Sequence, residues 1–484
     1  MTLRPKLPLA ATLLTPLLAL LLSACAVGPD YRQPDIATPP QWQAPLPHDG
    51  RLDQLGDWWA QFQDPVLDEL LRAAQTDSPT LDKASAAIRL ARANLRSAGA
   101  SSLPSLNGAI SQTQSGNKQG NGAMPVTTTA GALDASWEID LFGGTRRSVE
   151  SARALSDARE ADWHDARISL AAEVATDYVD YRACQLKLAS YEDTLRSQRA
   201  TAELTQLAVK AGFTAPADGS LADAGAAGAS ASAIAQASEC EVTLKSLVAL
   251  SGLEESRVRS LLFSQASSIP QPASRSVTSV PAQLLTQRPD LVAAERSVAS
   301  ASALIGVAEA ARYPSLSLNG AITLSASNGT SSVPWSFGPT LSIPIFNGGA
   351  LSAKVESARA SYDSALATYK SSVRNAVKEV EQALVRLDGA VRREDDARAS
   401  AAGYRAYFTA SEQNWRAGGT SLLNLETARR NAITAELNLI SLQQARVDYW
   451  IALYKAMGGG WNAAPQTNTT ASQNKANQES TPRN

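Results

Sequence analysis

Hydrophobic and polar positions alternate with a period of two in three separate stretches of the chain. Leu133, Ala135, Trp137, Ile139 and Leu141 interleave with Asp134, Ser136, Glu138 and Asp140. Leu316, Leu318, Ile322 and Leu324 alternate with Ser317, Asn319 and Thr323, and Trp335, Phe337, Leu341, Ile343 and Ile345 with Ser336, Thr340 and Ser342. This period predicts strands with one apolar and one polar face, of about the length that crosses a bilayer. A half-buried strand of a soluble sandwich carries the same alternation. The stretches Gln112–Thr129 and Ser327–Ser332 are rich in Gly, Asn, Ser and Thr and read as the turns of two hairpins, giving four strands per chain.

The remaining pattern is helical. Helices are predicted over Pro79–Ala100 and Pro289–Arg312, each with Pro in the first turn and each closed off by Pro104 or Pro314. Two much longer ones, Gly144–Ala211 and Gly349–Ala417, contain no proline and would each reach about 100 Å. Helices of that length do not fit a compact domain. Each turns at a Gly-containing tip and returns, through Asp218–Leu250 and Leu422–Met457. Gly219, Gly225 and Gly228 weaken the first return by about 1 kcal/mol each relative to Ala, so fraying is expected at its start.

These elements are arranged as a tandem duplication. Ser78-Pro79-Thr80-Leu81 answers Arg288-Pro289-Asp290-Leu291, and Leu103-Pro104-Ser105-Leu106 answers Tyr313-Pro314-Ser315-Leu316. Val149-Glu150-Ser151-Ala152-Arg153-Ala154 recurs unchanged at Val355 to Ala360, and Lys210-Ala211-Gly212-Phe213-Thr214 matches Arg416-Ala417-Gly418-Gly419-Thr420. Matches in the same order at nearly constant separation set the repeats at 78–252 and 288–461. A segment at 25–77 precedes them, a linker at 253–287 joins them, and a polar tail at 462–484 reads as disordered.

The amino terminus changes the picture. Arg4 and Lys6 precede an apolar stretch, Leu7 to Leu22, which ends at Leu22-Ser23-Ala24-Cys25. This reads as a signal peptide over 1–24 with a lipobox, so that Cys25 would carry diacylglycerol and an N-acyl chain; the plainer alternative is ordinary cleavage beside an incidental cysteine. Ala26, unlike Asp, permits sorting to the outer membrane. Beyond the signal no apolar run of about 18 residues stands out, so a membrane span is expected to be β-barrel. A net charge of −2 carries no footprint for nucleic acid. Four strands cannot close a spanning barrel, which needs about eight, and open edges are not tolerated in lipid. The chain must therefore associate, and geometry allows a trimer or a dimer.

Cys25-Ala26-Val27-Gly28-Pro29-Asp30-Tyr31, then Pro34, Trp42, Trp58-Trp59, Phe62, Asp64-Pro65 and Leu67, resemble the start of the NodT-type lipoproteins in the TolC-like outer membrane factor family. Tyr454 to Trp461 resembles their ending. The resemblance implies an α+β membrane protein and a homotrimer, with a twelve-stranded barrel in the outer membrane and an α-helical barrel crossing the periplasm. It implies two partners, a periplasmic adaptor and an inner-membrane pump of the resistance-nodulation-division type, and export of drugs or other small toxic compounds. A type I secretion duct and a non-conducting structural lipoprotein are the competing readings. The segment Arg416 to Arg429 resembles the family's gate, placing an apolar ring at Leu422 and an acidic ring at Glu426, four residues apart on one helix face. Three Glu426 carboxylates would repel one another, and Arg429 would hold the tip shut through ion pairs; a solvated helix pair is the plainer alternative.

Other candidates come from residue chemistry. Folding the chain at Thr214–Ala217 lays Cys184 beside Cys240, so in an oxidising periplasm a disulfide is expected, with two buried free thiols as the alternative. Asp134, Glu138 and Asp140 are expected on one strand face, lining a barrel lumen with a cation-favouring potential. Trp42, Trp58, Trp59 and Phe62 are expected to pack a girdle around the helices. His48 and His164 show no ligand spacing, Gly458-Gly459-Gly460 has no following Lys, and neither a metal, a cofactor nor an enzyme active site is expected.

Overall fold

The computed structural model describes residues 26–36, 38–39, 42–44, 58–116, 125–265, 267–272, 288–327, 329–459 and 461. The signal segment, Cys25, the tip of the first hairpin, the second part of the inter-repeat linker (273–287) and the polar tail lie outside them.

A helix, antiparallel strands, a 67-residue helix and a shorter returning helix appear twice in one order, and two short helices flank the first series. After α1 (Pro65–Thr76), the first repeat holds α2 (Pro79–Ala100), the strands β1 (Ser105–Ser115) and β2 (Val126–Ile139), and the helices α3 (Gly144–Lys210) and α4 (Pro216–Ser251); α5 (Glu255–Phe263) follows in the linker. In the second, α6 (Pro289–Ala310) precedes β3 (Ser315–Ser327), β4 (Thr330–Ser332), β5 (Trp335–Ser342), α7 (Ala350–Arg416) and α8 (Leu422–Ala456). Both long helices are 67 residues, unbroken, as expected of sequences without an internal proline. The chain forms two compact units, and each draws on both repeats.

The first unit comprises residues 1–37, 82–163 and 290–374 and contains the sheet. Its order is β1-β2-β3, with β4 and β5 both pairing with β3, and every ladder is antiparallel. The fourth strand starts at Trp335 as predicted, and the stretch Ser327–Ser332, read as a turn, holds the short β4, separated from β5 by Val333-Pro334, where Pro has no N–H to give to the ladder. The fourth strand ends at Ser342, short of Pro344. The register puts Leu106, Ile110, Leu133, Trp137, Ile322, Trp335, Phe337 and Leu341 on one face, and all of them are exposed. The other face is polar, with Ser136 donating to Asn319 at 2.9 Å and Asn319 donating to Thr340 at 3.2 Å.

One expectation needs correction. The helix α6 is long and apolar enough to cross a membrane by length and composition, at a mean hydropathy of 1.4. Its packing assigns it to a protein core. Val298 and Ala303 are buried, and the buried Glu295 accepts from the Tyr31 hydroxyl and pairs with Arg296 at 2.8 Å. The amino-terminal segment is strapped into the same unit. Val27 N–H donates to Phe142 O at 3.1 Å, and Arg147 reaches Asp30 at 2.7 Å. Gly28, at φ +91°, lies so close to α6 that a Cβ would stand 2.4 Å from the Gly306 Cα, so no other residue fits there.

The second unit draws on 38–81, 164–289 and 375–484 and is helical in its described residues. Asp64 caps α1, accepting from Val66 N–H at 2.9 Å, and α1 packs its buried Leu67, Leu70 and Leu71 toward α4, which carries buried Leu244 and Leu247. The Arg182 guanidinium is fully buried, donating to the Tyr178 hydroxyl at 3.0 Å and to Leu262 O at 2.9 Å, while Tyr178 donates to Asp64 at 2.5 Å. Three helices are thereby tied through one charge-neutral relay. Trp42 and Phe62 are buried, and the backbone N–H groups of Gln43 and Ala44 donate to Glu381 of α7 at 2.7 and 2.9 Å.

Candidate functional site

Each helical pair of the second unit reverses at a short tip. The first turns between Lys210 and Pro216, where Thr214 donates to Asp218 at 3.0 Å. The second turns between Arg416 and Leu422 and starts α8 with a side-chain cap, Ser421 accepting from Asn424 N–H at 3.3 Å.

Leu422, Glu426 and Arg429 stand on the first turns of α8, as the spacing predicts, but their surroundings differ from an open ring. Leu422 is buried with Ala202, Ala222 and Leu425, against Phe408 and Trp415, whereas the neighbouring Leu423 is exposed. The i, i+3 and i+7 positions Leu422, Leu425 and Arg429 form the stripe that α8 buries. Glu426 is engaged within its own chain: Arg429 pairs with one carboxylate oxygen, and Gln198 of α3 donates to the other at 2.6 Å. Arg429 also donates to the Thr201 hydroxyl at 2.7 Å and lies over the Phe408 ring, 5.4 Å from its centroid. Within the chain this carboxylate is therefore neutralised, not bare, and Arg429, with a side chain 3% exposed, is no solvated partner.

The clasp is the end of a longer polar seam between α3 and α8. Ser190 donates to Glu436 at 2.9 Å, and farther along Gln444 both donates to Asp180 at 2.7 Å and accepts from Lys187 at 2.8 Å. Sequence reading missed Ser190, Gln198, Thr201, Glu436 and Gln444. The available signal was polar residues recurring on helix stripes that otherwise bury apolar ones.

Cys184 and Cys240 are joined by a disulfide between α3 and α4. The start of α4 does not fray: the helix is continuous from Pro216. Gly225 serves close approach, since a Cβ there would stand 2.8 Å from Gln198 Oε1, the same side chain that holds Glu426.

The three acidic strand candidates separate. Asp134 and Glu138 lie in β2 opposite Asn107 and Ser317 and are exposed on the polar face. Asp140 does not share that face. The strand ends at Ile139, and the Asp140 carboxylate accepts from Arg146 N–H at 2.8 Å, satisfying a free donor in the first turn of α3. Among the described residues no group of His, Cys, Asp and Glu is placed to hold a metal.

This architecture is shared with known proteins. The model of the family described as "Outer membrane efflux protein" matches residues 70–253 and 280–459. Nodulation protein T of Rhizobium leguminosarum bv. trifolii is 33% identical over 470 residues, covering 93% of this chain and 97% of its own. The solvent efflux pump outer membrane protein SrpC of Pseudomonas putida is 29% identical, covering 93% and 98%. Among solved structures, the outer-membrane channel OprN superposes with a TM-score of 0.80 at 30% identity, covering 90% of this chain and 100% of that one. With both repeats matched and its elements in the same arrangement, the chain belongs to the outer membrane efflux protein family.

Proposed function

We infer that this chain is the outer-membrane exit duct of a tripartite efflux system, assembled as a trimer and tethered by a lipid on Cys25. It conducts small toxic compounds that an inner-membrane pump and a periplasmic adaptor deliver. The observation that carries the reading is the sheet. It exposes an apolar and a polar face at once and ends in two open edges, β1 and the β4–β5 strand. Exposed apolar residues beside unpaired backbone suit the wall of a larger barrel in lipid, and association edge to edge keeps every ladder antiparallel.

The helices support the same closure. The disulfide joins α4 to α3, Gln444 and Asp180 join α8 to α3, and Arg446 and Glu394 join α8 to α7, so α4 and α7 flank the series, with α7 also meeting α3 near the tip through Ser197 and Glu412. Beside the flank, a groove of about 950 Å³ runs between α7 and α8, its floor holding small residues such as Gly389, Ala390, Ala397 and Ala435 and its lining also carrying Arg386, Arg393 and Asp396. Such a groove accepts a close-packed helix, and the Ala- and Gly-rich α4 of a second copy fits it. The clasp of Glu426, Arg429, Gln198 and Thr201 then holds each tip closed from within.

Reconstitution of the purified full-length protein in planar bilayers tests this. Arg429→Met leaves Glu426 without its charge partner at a cost of about 3–5 kcal/mol, so the variant is expected to dwell in open states more than wild type. A trimer that never conducts, even as Arg429→Met, would support the structural lipoprotein instead.

A further inference from the structure

The seam between α3 and α8 gathers several half-buried charged groups away from the tip. Asp448 lies one turn beyond Gln444 on α8, and its Oδ1 is inaccessible and has no hydrogen-bond partner. The charged groups acting on it are Asp180 and Lys187, both of α3. Asp180 and Lys187 are already bridged through the two ends of the Gln444 amide. One Lys therefore faces two carboxylates, and a third, Asp177, stands close enough to Asp180 to feel it, with Glu173 beyond. A carboxylate oxygen shut off from solvent without a partner is costly to leave ionised and inexpensive when protonated, because the proton removes the charge and supplies a donor.

We propose that Asp448, Asp180, Lys187 and Gln444 form a proton-responsive lock on the α3–α8 seam, tight when the cluster holds a proton and looser when it does not. Protonated Asp448 carries a donor and no charge, while ionised Asp448 adds repulsion against Asp180 across the seam. Burial, then the Asp180 charge, pushes Asp448 up to about 7, with Lys187 partly opposing, and burial with Asp180 and Glu173 pushes Asp177 up to about 6. The sign follows from linkage. A carboxyl whose folded value is raised binds its proton more tightly in the folded than in the open seam. Its stabilising contribution is complete below the ordinary carboxylate range, declines as pH rises, and is gone above about 7. Neither the helical tip nor the sheet is involved, and the lock stands apart from the duct reading because its test observes the seam and not conduction.

Hydrogen–deuterium exchange on the full-length purified protein, with rates corrected for intrinsic chemistry, reads the opening of segments 177–190 and 440–451 between about pH 5 and pH 9. In wild type the opening constant should rise by up to about tenfold per pH unit and level off above about 7. Asp448→Asn should flatten this dependence, and Asp180→Asn should move the levelling point to lower pH. Wild-type opening that ignores pH, or a pH dependence that persists unchanged in Asp448→Asn, overturns the proposal. Should Asp448→Asn fail to assemble, an unmoved levelling point in Asp180→Asn overturns it equally.

Discussion

Single carboxylates in this chain take their roles from one or two residues of context. Asp134, Glu138 and Asp140 share a parity in sequence, yet the strand stops at Ile139 and leaves Asp140 as a helix cap. On the duct reading, Asp134→Asn with Glu138→Gln should reduce cation preference in single-channel recordings. Asp140→Ala should leave selectivity unchanged and lower stability by about 1 kcal/mol, the usual worth of a cap. Selectivity that follows Asp140 and ignores the other two would reverse the assignment. The alternation was legible because a period of two is local. The end of the strand was not, because it depends on a turn that presents Asp140 to Arg146. Glu426 and Arg429 were likewise legible as neighbours on one helix, whereas Gln198 and Thr201, more than two hundred positions away, enter only through the register of α3 against α8.

At the scale of elements, the two repeats are alike in length and unlike in fastening. The offset between Val149 and Val355 sets Cys184 against Ala390 and Cys240 against Arg446. The first helical pair is thus joined covalently, while at the corresponding level Arg446 of the second pair reaches Glu394 at 2.5 Å. Glycines placed for close approach reduce the intrinsic stability of α4, and the cross-link offsets that loss. For a loop of 56 residues, removing the disulfide is expected to cost about 4 kcal/mol in the chain-entropy account. Replacing Cys184 and Cys240 with Ala should therefore speed exchange in α4 far more than in α8. Equal protection of α4 with and without the cysteines would show that packing alone holds it. Helix existence and length were readable from the absence of proline and from the repeat. The meaning of the glycines was not, since a close approach is a property of two helices and propensity belongs to one.

For the whole molecule, the question is which surface meets lipid. The chain buries neither sheet face, so its own packing does not choose between them, but their chemistry does. Ile110 is 90% exposed on the apolar face, while Asn107 in the same strand lies on the face that carries Asp134 and Asn319. In a barrel wall, a Lys near the middle of the lipid face costs about 2–4 kcal/mol, whereas the lumen face accepts it. Ile110→Lys should therefore impair insertion and heat-stable trimer formation in outer-membrane fractions, and Asn107→Lys should assemble and shift ion selectivity toward anions. The pair of substitutions also separates the barrel from a soluble sandwich. Sandwich formation would bury Ile110 against protein and leave both variants in the soluble fraction, while a membrane wall makes the two outcomes diverge. A lipid on Cys25 would then assist retention without replacing the sheet, because the force holding each copy in the bilayer resides in its exposed apolar face.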